Sequence, residues 1–149
     1  MSAKRYAAGI ALATTLLVGF EGIRTVAYYD PVGIPTVCMG ETRGVKIGDK
    51  YTPQQCKAMA KGRVEEFAAG VEKALKVPVS DKTFASFVSF SYNLGLAVFT
   101  NKIAPMVNAG NTTGACKRMG LYTMAHGITL PGLVKRRQEE VALCLDGLK

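Results

Sequence analysis

Residues 20–42 read Phe20-Glu21-Gly22-Ile23-Arg24-Thr25-Val26-Ala27-Tyr28-Tyr29-Asp30-Pro31-Val32-Gly33-Ile34-Pro35-Thr36-Val37-Cys38-Met39-Gly40-Glu41-Thr42. The stretch leaves an uncharged helical run at Glu21 and enters two β-rich runs, Val26–Asp30 and Ile34–Cys38, around Pro31-Val32-Gly33. Tyr, Val and Ile favour strands, and Pro and Gly favour the turn between them. Gly40, Gly44 and Gly48 punctuate a second turn. A short strand over Val45–Ile47 is expected to complete a small antiparallel sheet.

Upstream, residues 6–20 carry no charge, behind the basic pair Lys4 and Arg5. Ile10, Ala13, Leu16, Leu17 and Phe20 fit the spacing of a buried helix. The same run resembles a weak, releasable membrane anchor, and one segment can serve as anchor first and core helix later. It is short for a stable span, which needs about 20 apolar residues. A cleaved signal fits less well, because no clear A-x-A cleavage site precedes Glu21.

Downstream, Thr52-Pro53-Gln54-Gln55 combines an N-cap, a first-turn proline and a capping box. Cys56, Ala60, Val64, Phe67, Val71 and Leu75 continue as an apolar stripe until Pro78 ends the helix. The remainder reads as helical. One helix is capped by Ser80 and runs through Leu94, two shorter ones lie around 101–108 and 113–122, and a last one runs from Pro131 to about Leu145. The expected fold is α+β, mainly α, in a single domain over 1–149. A helix over 1–22 precedes a sheet lobe over 24–51. A connecting helix over 52–76 leads to a helical lobe over 77–149.

The 149 residues carry a net charge of +8. No carboxylate occurs between Asp81 and Glu139, so paired-carboxylate chemistry must draw on residues 1–81 or on the last helix. A basic chain suits an anionic partner or simply a soluble surface. Basic residues are not interleaved with aromatics and Trp is absent, so nucleic acid is not expected. The sequence lacks G-x-S-x-G, H-E-x-x-H, C-x-x-C, a P-loop and G-x-G-x-x-G, so no metal or other cofactor is expected. The single histidine, His126, reads as a loop residue at a rim or in solvent.

Four cysteines permit two disulfides in three connectivities, or four buried thiols in a reducing compartment. Nearest-neighbour pairing gives Cys38–Cys56 and Cys116–Cys144. Among the acids, Glu65, Glu66, Glu72, Glu139 and Glu140 read as solvated helix charges. Glu21 at a helix end, Asp30 beside the turn and Thr36 in the facing strand stand apart from them.

Together these three make the pattern E-x8-D-x5-T, which resembles the catalytic signature of the phage-type, T4-lysozyme-like muramidases (glycoside hydrolase family 24). The resemblance continues through Y-T-P-x-Q-C, S-F-S-Y-N-L-G and P-G-L-V-K-R-R in the family's order. It implies a lysozyme-like fold and an endolysin that hydrolyses the β-1,4 bond between N-acetylmuramic acid and N-acetylglucosamine in peptidoglycan. It implies Glu21 as general acid, Asp30 as the carboxylate across the cleft and Thr36 as a group that helps place water. Asn93, Arg136 and Arg137 match positions that line or support the cleft, and an arginine there would pair with Glu21. The family generally inverts, which requires room for a water between the carboxyls. Some relatives carry a signal-arrest-release segment, which matches the run over residues 6–20. That resemblance implies synthesis in the host cytoplasm, transient inner-membrane association and action in the periplasm as a monomer.

One departure stands out: Gly40-Glu41-Thr42 replaces the Gly-His-Thr of many relatives, so a His-dependent ion pair is lost there. A lytic transglycosylase, which cuts the same bond without water, and a non-enzymatic cationic wall-binding module are the competing readings.

Overall fold

The computed structural model describes residues 6–149. Lys4 and Arg5, the basic start of the anchor reading, lie outside the described residues.

Helix α1 (Ala7–Glu21) leads into strands β1 (Arg24–Tyr29) and β2 (Pro35–Cys38). Helices α2 (Pro53–Ala74) and α3 (Asp81–Leu94) follow. A short α4 (Leu96–Val98), a π-helical turn (Phe99–Ile103) and α5 (Ala104–Asn108) form one continuous helical stretch. Helix α6 (Thr112–Met119), a minute hairpin of β3 (Met124–Ala125) and β4 (Ile128–Thr129), and α7 (Pro131–Asp146) complete the chain. The fold is α+β and mainly helical, as expected.

The core centres on α3, whose residues Thr83 to Ser91 are all buried. Phe84, Phe87 and Phe90 are the large buried side chains that α3 gives to the core. Helix α1 lies against α3 closely enough that Gly9 matters. The Gly9 amide donates to Asp81 Oδ1 at 3.0 Å. A Cβ at Gly9 would meet Asp81 O and the Phe84 ring at 3.1 Å. Just ahead of the helix, Tyr6 stacks on Phe84 with ring centroids 3.9 Å apart, and its hydroxyl accepts from the Val79 amide. The run over residues 6–20 is thus packed as a core helix in this state. At 15 residues α1 is about 22 Å long, short of a bilayer core of about 30 Å. No helix among the described residues is long and apolar enough to cross a membrane.

Strands β1 and β2 pair antiparallel, with Tyr28 opposite Thr36 and Tyr29 opposite Pro35. The expected strand over Val45–Ile47 is absent. There the Asp49 carboxylate accepts from the Lys46 amide at 2.8 Å and the Asp49 amide donates to Lys46 O at 3.0 Å. These local bonds close a turn where the β-propensity of Val and Ile had suggested a ladder. Val45 still buries its side chain beside Val37, Cys38 and Cys56 in a small second core.

The capping box at α2 is formed in both directions, Gln55 N to Thr52 Oγ1 at 3.1 Å and Thr52 N to Gln55 Oε1 at 2.8 Å. Helix α6 ends at Met119 rather than at residue 122, and Asn111 caps its start by accepting from the Gly114 amide. Disulfides join Cys38 to Cys56 and Cys116 to Cys144. The first ties β2 to α2, and the second ties α6 to α7.

Candidate active site

Glu21 is the last residue of α1, where an uncharged helix delivers it to the junction with the sheet. Its side chain is 23% exposed. Arg136 Nη1 donates to Glu21 Oε2. The same guanidinium lies over the Phe20 ring, 4.7 Å from its centroid. Across from it, Glu21 Oε1 sits 3.4 Å from where a Cβ of Gly40 would be. Gly40 has φ +81°, so a side chain there would be in van der Waals contact with the carboxylate but strained in its backbone. A cavity of about 490 Å³ is lined by Phe20 and Arg136 together with Leu130, Pro131, Gly132 and Leu133.

Asp30 follows β1 and is held by its own turn. Its Oδ1 accepts from the amides of Val32 at 3.0 Å and Ile34 at 2.8 Å. Its amide donates to Ile34 O, and its carbonyl accepts from Gly33 N. Thr36 is buried in β2, and its hydroxyl donates to Ile34 O at 2.8 Å. Asp30 and Thr36 thus grip the two ends of one residue, Ile34. With its hydrogen committed to Ile34 O, Thr36 Oγ1 offers a lone pair and no free proton. No hydrogen bond links Glu21 to either of them.

Asn93 is brought to Arg137, whose Nη2 donates to Asn93 Oδ1 at 2.7 Å. Neither arginine is solvated: Arg136 and Arg137 are 6% and 1% exposed. Glu140 overturns its reading as a solvated helix charge, for it is fully buried. Its Oε2 accepts from Ser89 Oγ at 2.5 Å and from Arg136 Nε at 3.3 Å. Its Oε1 lies 2.8 Å from Arg137 Nε, an ion pair whose atoms are not aligned as a hydrogen bond. Burial pushes the Glu140 carboxyl up, opposed by the two guanidiniums and the Ser89 hydroxyl. Burial likewise lowers Arg137, against the pull of Glu140. The missed signal was positional: Leu133, Arg136, Glu140 and Cys144 lie at spacings of three or four on the inward stripe of α7.

Glu41, in the Gly40-Glu41-Thr42 segment, turns inward. Its Oε1 accepts from the amides of Thr42 and Arg43, and its Oε2 pairs with Arg63 Nε at 3.2 Å. The departure therefore builds a different local ion pair. His126 is exposed at the tip of the β3–β4 hairpin with φ +53°. Among the described residues no group of three or more His, Cys, Asp or Glu side chains is placed to hold a metal.

The Phage lysozyme family model matches residues 18–140, which spans the whole site from Glu21 to Glu140. The chain belongs to the phage lysozyme family. A SAR-endolysin of Pseudomonas phage phiKMV is 37% identical over 144 residues, covering 93% of this chain and 90% of that protein. A SAR-endolysin of Enterobacteria phage P21 is 32% identical, covering 93% of this chain and 88% of that protein. Among solved structures, the endolysin from Escherichia coli O157:H7 phage FAHEc1 superposes with a TM-score of 0.83 at 33% identity, covering 91% of each chain. With the family come the lysozyme fold, muramidase activity and peptidoglycan as substrate. The chain is an endolysin whose cleavage of the wall lyses the host cell, and the transglycosylase and wall-binding readings are not favoured.

Proposed function

We propose that Glu21 is the general acid of this muramidase, that Asp30 is the carboxylate that accepts a proton from water, and that Thr36 places that water. The pairing of Glu21 with the buried Arg136 carries the reading, because it fixes one partly exposed carboxyl between two helices. Glu21 gives its proton to the glycosidic oxygen as the bond to the anomeric carbon breaks. Water adds to that carbon, and its proton passes to Asp30. Glu21 is left as a carboxylate opposite Arg136, and solvent exchange then resets both groups. The turn amides of Val32 and Ile34 hold the Asp30 carboxylate in one orientation, as this role needs. Thr36 Oγ1, already donating to Ile34 O, is suited to accept a hydrogen from the attacking water.

Glu21→Gln and Asp30→Asn are each expected to lower turnover of purified peptidoglycan by about 10²–10⁴-fold while circular dichroism stays native. Hydrolytic products carry one more water than anhydro-muramoyl ends. Full activity in Glu21→Gln, or anhydro products from the unaltered enzyme, would sink this reading.

We further infer that residues 6–20 act before the fold forms, as a weak membrane anchor that is later released. Their freedom from charge supports this, as do relatives named SAR-endolysins. The released protein works in the periplasm as a monomer. While the segment sits in the bilayer, Glu21 stays at the membrane and the contact with Arg136 is unmade. Cell fractionation should recover the chain with membranes while the membrane potential holds, and in soluble form once it collapses. Recovery in the soluble fraction under both conditions would refute the anchor.

A further inference from the structure

Glu21, Arg136, Arg137 and Glu140 form a set of two guanidiniums and two carboxyl groups, whose charges balance once Glu21 has given up its proton. Three of them are nearly or wholly buried. We propose that Glu140 is a positioning residue for glycoside cleavage: it aims the Arg136 guanidinium at Glu21 and neutralises the second positive charge of the arginine pair. The proposal rests on the reading of Glu21 as the acid.

The geometry accounts for the aim. Arg136 spends Nε on Glu140 Oε2, Nη2 on the Ser89 carbonyl at 3.2 Å and Nη1 on Glu21. Its face rests on Phe20. Three donor directions and one stacking plane leave the guanidinium a single orientation. Glu140 lies one turn beyond Arg136 on the same helix, so the two stay neighbours whenever α7 is formed. Ser89 Oγ anchors the other side of Glu140 from α3.

The charge accounts for the carboxylate. A general acid must hold its proton until the leaving oxygen takes it. A nearby guanidinium favours the ionised form, and two uncompensated ones favour it more. Glu140 offsets one of the two charges inside a buried cluster where water cannot. The other groups facing the cluster do not substitute for it. From α3, Tyr92 is neutral over the working range and donates to Met39 O at 2.7 Å. Glu41 and Arg63 compensate each other beyond it. From α6, Lys117 shares with Arg137 the wall of a cavity of about 470 Å³ and adds positive charge. Asn93, the partner of Arg137, is uncharged.

A purely structural ion pair and a charge-balancing device make opposite forecasts for the pH profile. The test uses the full chain and kcat/KM on purified peptidoglycan across pH. Glu140→Gln leaves a surplus positive charge, so the alkaline limb of the profile should move to lower pH by about one unit. That is a loss of roughly tenfold on that side. Arg137→Gln leaves a surplus negative charge without touching Glu21, so the limb should move to higher pH. The double variant restores balance, and its limb should return to that of the unaltered enzyme. Ser89→Ala keeps every charged group and removes only the hydroxyl that favours ionised Glu140. Its limb should move as in Glu140→Gln, by less, and it serves if the charge variants do not fold. Limbs that stay in place, or that move in one direction for Glu140→Gln and Arg137→Gln alike, overturn the proposal. An active Glu21→Gln enzyme would instead overturn the general-acid reading beneath it.

Discussion

Glu21 and Asp30 are carboxylates nine residues apart in the chain, yet they are fixed by opposite means. Asp30 is held inside its own turn, by the amides of Val32 and Ile34. Glu21 is held by Arg136, 115 residues away, on a helix that depends on a second buried acid, Glu140. The local device is cheap in sequence and open to water. The long-range device requires the whole helical lobe, and it places the acid only when α1, α3 and α7 have come together. One half of the site is therefore encoded in a pentapeptide and the other half in tertiary structure. The two halves should respond differently to damage.

The largest contrast comes from removing the long-range support. Arg136→Met takes the partner from Glu21 and half of the compensation from buried Glu140. Breaking a buried pair in this way costs about 3–5 kcal/mol. Chemical denaturation should show that loss, and wall-clearing activity should fall with it, while the Asp30 turn has no reason to change. A fully stable Arg136→Met protein would mean that Glu140 and Arg137 satisfy each other without it.

The matching injury to the local device is smaller. Gly33 has φ +83°, and a Cβ there meets nothing within 4 Å, so Gly33→Ala is penalised by backbone strain alone. That strain amounts to about 1–2 kcal/mol. It falls on the turn that orients Asp30, so kcat should drop several-fold while the melting of the helical lobe shifts little. A proportionate loss of stability and activity would show that the turn is not independent of the rest.

The same division explains what was legible in the sequence. The Asp30 hairpin, the Thr52–Gln55 capping box and the Ser80 cap are local, and propensity with spacing was enough to read them. The contact of an arginine with Glu21 came from resemblance, since no local rule joins residues 115 apart. Glu140 was misread because Arg136-Arg137-Gln138-Glu139-Glu140 has the composition of a solvated helix face. Only its register with Leu133 and Cys144 marks the inward side. The Val45–Ile47 strand failed for the converse reason. One side chain, Asp49, satisfied the backbone locally and overrode strand propensity.

Tyr92 joins the two regimes, and changing it should have the smallest effect. It sits on α3, yet its hydroxyl donates to the buried carbonyl of Met39 beside the sheet. Burial, reinforced by the nearby acids Glu21 and Glu41, pushes its phenol up to about 12. The folded value exceeds the ordinary value of 10.0. The linked stability is therefore complete below pH 10 and is lost as pH rises toward 12. Ultraviolet titration should find a tyrosine that ionises near pH 12 and disappears in Tyr92→Phe. That variant loses one hydrogen bond, about 1 kcal/mol, and should also lose the alkaline decline in stability between those two pH values. If the decline persists unchanged in Tyr92→Phe, another group carries it, and the contact between α3 and Met39 is not the link that couples the local half of the site to the long-range half.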